Sequence, residues 1–180
     1  KSFRIPGWHN RANATLVAKA CERLKLGNPD IVKVAVENFP GTQRRFERLA
    51  PKLYSDYGHH PAEIYATLQM ARELSDHVVL VYQPHQNIRQ HEIQSMYTNE
   101  VFRYADSVYW LPTYLTRENP DLPILTPADL TKNLTRPEVH IASLNDDLWK
   151  SIMLDRELGK LVLCMGAGTI DEWLRQHLKI

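Results

Sequence analysis

The chain has 180 residues and a formal charge of +1, with 43% hydrophobic and 24% charged residues. That length buries a sizeable core in one domain, or in one domain plus a piece of another, and so even a charge excludes a broad electrostatic field that would select nucleic acid or an anionic membrane. No apolar run approaches the roughly 18 residues a membrane helix needs, no apolar signal core opens the chain, and Cys21 and Cys164 are too few and too far apart for a disulfide framework, which fits a reducing cytoplasm.

The predicted elements alternate. Residues 13–24 read as a helix with Leu16, Val17, Ala20 and Leu24 on one stripe. A breaker cluster, Gly27-Asn28-Pro29-Asp30, follows, and Asp30 is expected to cap a second helix over 31–38, which Pro40-Gly41 ends. The pattern changes after Arg45. Strands are predicted over 53–56, 77–82, 107–111, 139–144 and 161–165, and helices over 61–74, 91–104, 146–158 and 169–178. Pro61 suits a first helical turn, Thr126 a cap ahead of Pro127, and Ile93, Met96, Tyr97 and Val101 an inward face. Residues 113–123, with Pro120 and Pro123, read as a surface excursion. Strands separated by helices imply a parallel sheet covered on its faces. Two units follow: helical residues 1–45, without a sheet of their own, and an open α/β domain over 46–180.

Five segments carry candidate chemistry. Asn10 and Asn13, three apart in Gly7-Trp8-His9-Asn10-Arg11-Ala12-Asn13, share a helix face and suit the edge of an adenine ring, or Asn10 simply caps the helix. Arg44-Arg45 after Pro40-Gly41 can hold a phosphate or ribose hydroxyl, or sit solvated in a loop. Asp56-Tyr57-Gly58-His59-His60-Pro61 lies between a strand end and a helix start, where ligands and anions gather in open α/β sheets. The alternatives there are a polar turn with a helix cap, or a zinc site of His59, His60 and His85. Gln83-Pro84-His85-Gln86-Asn87-Ile88-Arg89 follows the next strand in the chain, and Arg89 can clamp a carboxylate through two parallel hydrogen bonds. Met165-Gly166-Ala167-Gly168-Thr169 looks like a phosphate turn but fits tight strand-to-helix packing better. Two polar turns at strand ends argue for one shared cleft.

The order Gly-x-His-Asn-x-x-Asn, Phe-x-Gly-x-x-Arg-Arg-Phe, Asp-Tyr-x-His-His-Pro-x-Glu, Gln-Pro-His-x-x-x-Arg and Met-Gly-Ala-Gly resembles the Mur ligases over essentially all 180 residues. The resemblance implies a Rossmann-like carboxy-terminal domain for the amino acid, preceded by the last two helices of a central ATPase domain. It implies an ATP-dependent ligase of peptidoglycan synthesis that joins L-alanine to UDP-N-acetylmuramate through an acyl phosphate. On that pattern His9, Asn10 and Asn13 meet adenine, and Arg45 and Asp56 hold the ribose. Tyr57, His59 and His60 line the gap between the terminal phosphate and the incoming amine, with the two histidines as the catalytic candidates. His85 and Arg89 bind the alanine carboxylate. Magnesium accompanies ATP in this family, with ligands expected in the central domain and none in this chain.

Departures from the family pattern stand at Ser55, where an aspartate is frequent, at Gln86 and Gln90, where arginine and threonine are frequent, and at Thr169. Where that first arginine helps hold the carboxylate, its loss implies weaker or broader amino-acid binding. The chain contains no Gly-x-x-Gly-Lys-Thr phosphate loop and no UDP-sugar domain. It is therefore expected to be a piece of a longer enzyme, partnered by amino-terminal and central domains of the same protein and without turnover alone. The alternatives are a ligase that attaches a preformed murein tripeptide to the same sugar nucleotide, and a non-catalytic nucleotide-binding module of this fold.

Overall fold

The computed structural model describes residues 3–180; Lys1 and Ser2, the start of the expected 1–45 unit, lie outside the described residues. The elements in chain order are α1 (Trp8–Arg23), α2 (Pro29–Glu37), β1 (Glu47–Ala50), β2 (Leu53–Asp56), α3 (Pro61–Leu74), β3 (Val78–Tyr82), α4 (Asn87–Ile93), β4 (Ser107–Trp110), α5 (Pro127–Thr131), β5 (Glu138–Ile141), α6 (Asp146–Glu157), β6 (Leu161–Met165) and α7 (Ile170–Leu178). The six strands form one sheet in the order β1-β2-β6-β3-β4-β5. All neighbours are parallel except the β1–β2 edge hairpin.

The central strands are apolar throughout because both their faces are covered, as parallel sheets require. β3 and β6 are buried at every position. Their alternate side chains feed two cores. Val78, Leu80, Tyr82, Leu161, Leu163 and Met165 pack with Ile64 and Leu68 of α3, while Val79, Val81, Val162 and Cys164 pack with Ile152 of α6 and Leu174 of α7. The chain steps from β2 to β3 to β4 to β5 with its helices on the first face, then returns to β6 with α6 on the second. β6 is thereby inserted between β2 and β3, with α3 leaving to one face and α7 to the other. A crevice opens at such a reversal of strand order, outside the carboxyl ends of the strands.

Several sequence expectations change. α1 begins at Trp8, five residues before the expected start, and its stripe of Leu16, Val17, Ala20 and Leu24 faces outward; Ala14 is its buried residue. α1 is instead fastened to α3 by polar contacts. The amide of Gly7 donates to Glu73, that of Trp8 to Gln69, and Arg11 makes two hydrogen bonds of 2.8 Å to the Glu73 carboxylate. The Arg11 contact, with help from Gln69 and the Gly7 amide, pulls the Glu73 carboxyl down to about 2. The cap of α2 is Asn28, which accepts from the Asp30 amide; Asp30 sits inside the first turn. The expected helix over 91–104 starts at Asn87 and stops at Ile93, followed by one 3₁₀ turn to Met96. Irregular turns then carry Tyr97 and Phe102 into the core and leave Met96 exposed, so burial of two aromatics overrides helix propensity. β5 ends at Ile141, and β1, with no apolar alternation to mark it, was not foreseen. Thr126 caps α5 by accepting from Asp129, and Pro61 opens α3, as expected. Among the described residues no helix is long and apolar enough to cross a membrane.

Leu163 lies fully buried at the centre of the first core. Leu163→Ala is expected to lower unfolding free energy by roughly 2–5 kcal/mol, the transfer loss plus a cavity in a close-packed interior. Chemical denaturation checks this, with the Leu154→Ala change on the exposed face of α6 as the near-neutral comparison.

Candidate functional site

The loops after β2, β6 and β3 meet at the carboxyl rim. Backbone hydrogen bonds continue past the strands: the Gly166 amide donates to Asp56 O at 3.0 Å and the Gln83 amide to Met165 O at 2.9 Å. The side chain of Gln83 then bridges to the start of α7, donating to Thr169 Oγ1 and accepting from the Ile170 amide. A Cβ at Gly166 would stand 2.7 Å from Gln83 O, and one at Gly168 would stand 2.6 Å from Gln83 Oε1 and 2.7 Å from the Tyr114 side chain. The Met165–Thr169 turn is therefore a packing device between two loops, the less specific of its two readings. The turns around Asp56 and Arg89 do converge, but β2 and β3 are not neighbours as the chain order suggested; β6 separates them.

After β2, the buried carboxylate of Asp56 accepts from the Phe46 amide at 2.8 Å and the Gly58 amide at 2.7 Å. Burial raises its pKa, against the pull of those two amides and of Arg45. His60 is the N-cap of α3: its Nδ1 accepts from the Ala62 amide. Glu63 answers by accepting from the amides of both His59 and His60. This is a capping box with histidine in the place serine usually fills. It leaves His60 Nε2 as the ring atom available to a ligand. His59 contacts Tyr57 O through Nδ1 at 3.2 Å, and its ring centroid lies 5.5 Å from that of His85.

After β3, His85 stacks on Tyr114 with centroids 5.6 Å apart and planes 17° from parallel. The two backbones pair, Tyr114 donating to Pro84 O and Gln86 to Tyr114 O. Residues 113–123 are thus no free excursion. Glu118 accepts from the Ile88 and Thr116 amides, and Asn87 ties down Pro123 O and the Leu125 amide. Gln86 is held at φ +61°, a conformation costing of order 1–3 kcal/mol for a non-glycine residue. Arg89 is part-exposed, and no hydrogen bond or ion pair among the described residues engages its guanidinium. Burial, His59 and Arg89 push the His85 pKa down, against Glu118.

On the opposite flank, the arginine pair divides its labour. Arg44, at φ +54°, donates to Gly166 O at 2.9 Å, lies 4.7 Å over the Tyr57 ring and approaches Asp171 at 3.8 Å. Burial alone would raise the Asp171 carboxyl, but hydrogen bonds from Arg175 and Ser55 with the charges of Arg175 and Arg44 hold it low. Arg45 is exposed, its guanidinium 5.5 Å from the centroid of the same Tyr57 ring. His9 faces this flank across α1 and is close enough to feel the Asp56 charge; its pKa is lowered by burial, and its buried Nδ1 has no partner among the described residues. A cleft of about 300 Å³ lies beside it, lined by Trp8, His9, Ala12, Tyr65, Ala66 and Gln69. Asn10 is inside α1, not its cap, and donates to Pro6 O and Met70 Sδ; Asn13 is exposed one turn on. Among the described residues no group of three or more histidines, cysteines or carboxylates is placed to hold a metal.

The model of the Mur ligase glutamate ligase domain matches residues 44–168. The chain belongs to the Mur ligase family. Its relatives include the UDP-N-acetylmuramate–L-alanine ligase of Methylobacterium radiotolerans, 35% identical over 94% of this chain and 37% of that protein, and that of Jannaschia sp., 33% identical with the same coverage. The chain thus spans little more than a third of the curated relatives it matches. Among solved structures, the UDP-N-acetylmuramate-alanine ligase of Thermotoga maritima shares the fold with a TM-score of 0.67 at 24% identity, over 98% of this chain and 38% of that one. A folylpolyglutamate synthase of Mycobacterium tuberculosis does so with 0.63 at 19%, over 98% and 41%.

In this Mur ligase domain the structure gathers Tyr57, His59 and His85 at one rim, with Asp56 and His60 anchored beneath them and His9 across from Asp56. Sequence reasoning gave no role to Glu63, Tyr114 or Glu118 and missed the tethering role of Arg44. A capping-box spacing from His60 to Glu63 announces the first. Nothing local announces Tyr114 or Glu118, which reach His85 only because a loop folds back.

The shift at His85 gives a pH prediction. The unfolded chain takes up the ring proton at higher pH than the folded one, so stability falls as pH drops through about 6.5 and below. Histidine NMR should place the His85 midpoint below that value. Arg89→Ala should move it up and Glu118→Gln down; an unmoved midpoint in both would refute the mutual proximity.

Proposed function

We propose that this chain provides the amino-acid-facing part of an ATP-dependent ligase that joins L-alanine to UDP-N-acetylmuramate, acting within a longer, cytoplasmic protein. One observation carries the reading: an unengaged arginine, Arg89, stands in the first turn of α4, four residues beyond His85, whose ring lies 5.5 Å from His59 at the crevice where strand order reverses. The names of the relatives support the same substrates.

The chemistry required is phosphoryl transfer from ATP to the muramate carboxylate, then attack of the alanine amine on the acyl phosphate with release of phosphate. Such a reaction is accelerated mainly by positioning and by neutralising charge. Arg89 would take the alanine carboxylate through two parallel hydrogen bonds, with His85 beside it. That clamp would direct the amine toward His59 and Tyr57. His59 would accept a proton from the alanine ammonium, freeing the amine to attack. His60, already bonded through Nδ1, offers only Nε2 to the phosphate side. On the nucleotide flank, His9, Asn10 and Asn13 would meet adenine beside the Trp8–Tyr65 cleft. Arg45 and Asp56 would hold the ribose, Asp56 with the acceptor positions that its two amide contacts leave open. Magnesium, expected with ATP, finds no ligand cluster among the described residues, and no step by this chain's residues runs through it.

In the full-length protein, ATP hydrolysis dependent on UDP-N-acetylmuramate and an amino acid tests the reading. L-Alanine should support turnover where glutamate and a preformed tripeptide do not; turnover with the tripeptide alone would overturn it. Arg89→Ala should raise the KM for L-alanine by about 30- to 150-fold, from roughly 2–3 kcal/mol for a lost charge-assisted pair. Affinity for ATP should stay nearly unchanged. An alanine KM within about threefold of the parent, less than 1 kcal/mol, would remove the carboxylate role.

A further inference from the structure

Beneath the rim, a chain of polar side chains runs through the first core and joins the two histidine loops. Tyr82 Oη lies 3.0 Å from His59 O and 3.0 Å from Tyr97 Oη. Tyr97 Oη lies 2.7 Å from Gln90 Oε1, and Gln90 Nε2 donates to His85 O at 3.0 Å. Tyr82 and Gln90 are fully buried and Tyr97 is 2% exposed. The rings are fixed by Trp110, which meets both tyrosines edge-on at 5.0 Å, and by Phe102.

The hydrogens of this chain can be counted. A carbonyl oxygen only accepts, so the Gln90 amide must turn its NH₂ to His85 O and its oxygen to Tyr97. His59 O and Gln90 Oε1 are then acceptors at the two ends of three oxygen–oxygen contacts. Burial raises both phenols far above their ordinary value, so each carries its hydrogen and neither can supply a second. Two hydrogens serve three contacts. If both point outward, the two loops are held and the tyrosine oxygens face each other at 3.0 Å with nothing between them. If they align in one direction, the central bond forms and either His59 O or Gln90 Oε1 is released. An unmade bond in a buried network is costly, so no arrangement satisfies every partner.

We propose that Tyr82, Tyr97 and Gln90 are positioning residues that couple the His59 and His85 loops through this hydrogen-deficient chain, so that loosening one loop tightens the hold on the other. Tyr82 acts through the His59 carbonyl and Gln90 through the His85 carbonyl, with Tyr97 linking the two. The kinetic consequence rests on the amino-acid reading of His85 and Arg89, but the coupling itself does not.

The test follows the ¹⁵N–¹H amide signals of His60 and Gln86, whose peptide groups contain the two carbonyls, in the full-length protein. Tyr82→Phe leaves Tyr97 bonded to Gln90 alone, so the remote Gln86 signal should move as well as His60. Tyr97→Phe leaves Tyr82 bonded to His59 alone, so the remote His60 signal should move as well as Gln86. Gln90→Leu keeps both hydroxyls and should also displace His60, which preserves the test should a tyrosine variant fail to fold. Phe102→Leu loosens the same ring cluster without touching a polar atom and should leave both signals in place. Remote signals that stay within their line width in the Tyr and Gln variants, or that Phe102→Leu moves equally, overturn the proposal. With coupling present, Tyr97→Phe should raise the KM for L-alanine about fivefold, as loss of one ordinary hydrogen bond does. Coupling by NMR with an unchanged alanine KM would count against the amino-acid reading and leave the coupling standing.

Discussion

Strand β6 pairs with β2 on one side and β3 on the other, and the positions of the site loops follow from those two ladders. Parallel pairing fixes register residue by residue, Asp56 opposite Met165 and Met165 opposite Tyr82. The polar turns that follow β2 and β3 must therefore leave the sheet at one level, about two strand spacings apart, roughly 10 Å. At that separation the side chains of His59 and His85 can meet, while their backbones cannot. The glycines of the turn after β6 keep the space between them low, and Gln83 ties that turn to β3. A side chain at Gly166 or Gly168 would press on Gln83 or Tyr114 and so on the histidine pair above.

Around this frame the site is held by backbone groups more than by side-chain pairs. Asp56 holds two amides, Glu63 holds two, Glu118 holds two, and Gln90 and Tyr82 each take a carbonyl. Such contacts fix loop shape and leave His60 Nε2 and the Arg89 guanidinium uncommitted. That is the division a binding site needs: supports locked by packing and hydrogen bonds, with the ligand-facing groups presented at fixed places. The cost appears locally, in positive φ angles at Arg44, Phe46 and Gln86, all adjacent to the crevice.

The α1–α2 unit stands on a different footing. It touches α3 through charge-assisted and polar contacts at its amino end, and its apolar side chains Leu16, Val17, Ile31 and Val34 face outward. What those contacts do achieve is to set His9 where its ring feels the charge of Asp56.

Sequence alone determined the alternation of strands and helices, the fully apolar central strands, the proline-led helices with their caps, and the family order of motifs around His59, His85 and Arg89. These are local signals, written in periodicity and in residues with restricted dihedrals, and they do not depend on what lies across the fold. The insertion of β6 between β2 and β3, the early end of α4, the return of residues 113–123 onto His85, and the buried path from His59 to Gln90 were decided by tertiary structure. Each joins residues far apart in the chain. Burial of Tyr97 and Phe102 outweighed a helical pattern, and a strand pairing made last in the sequence set the geometry of loops formed before it. No window of a few residues carries that information, because its energy lies in contacts that exist only once the sheet has closed.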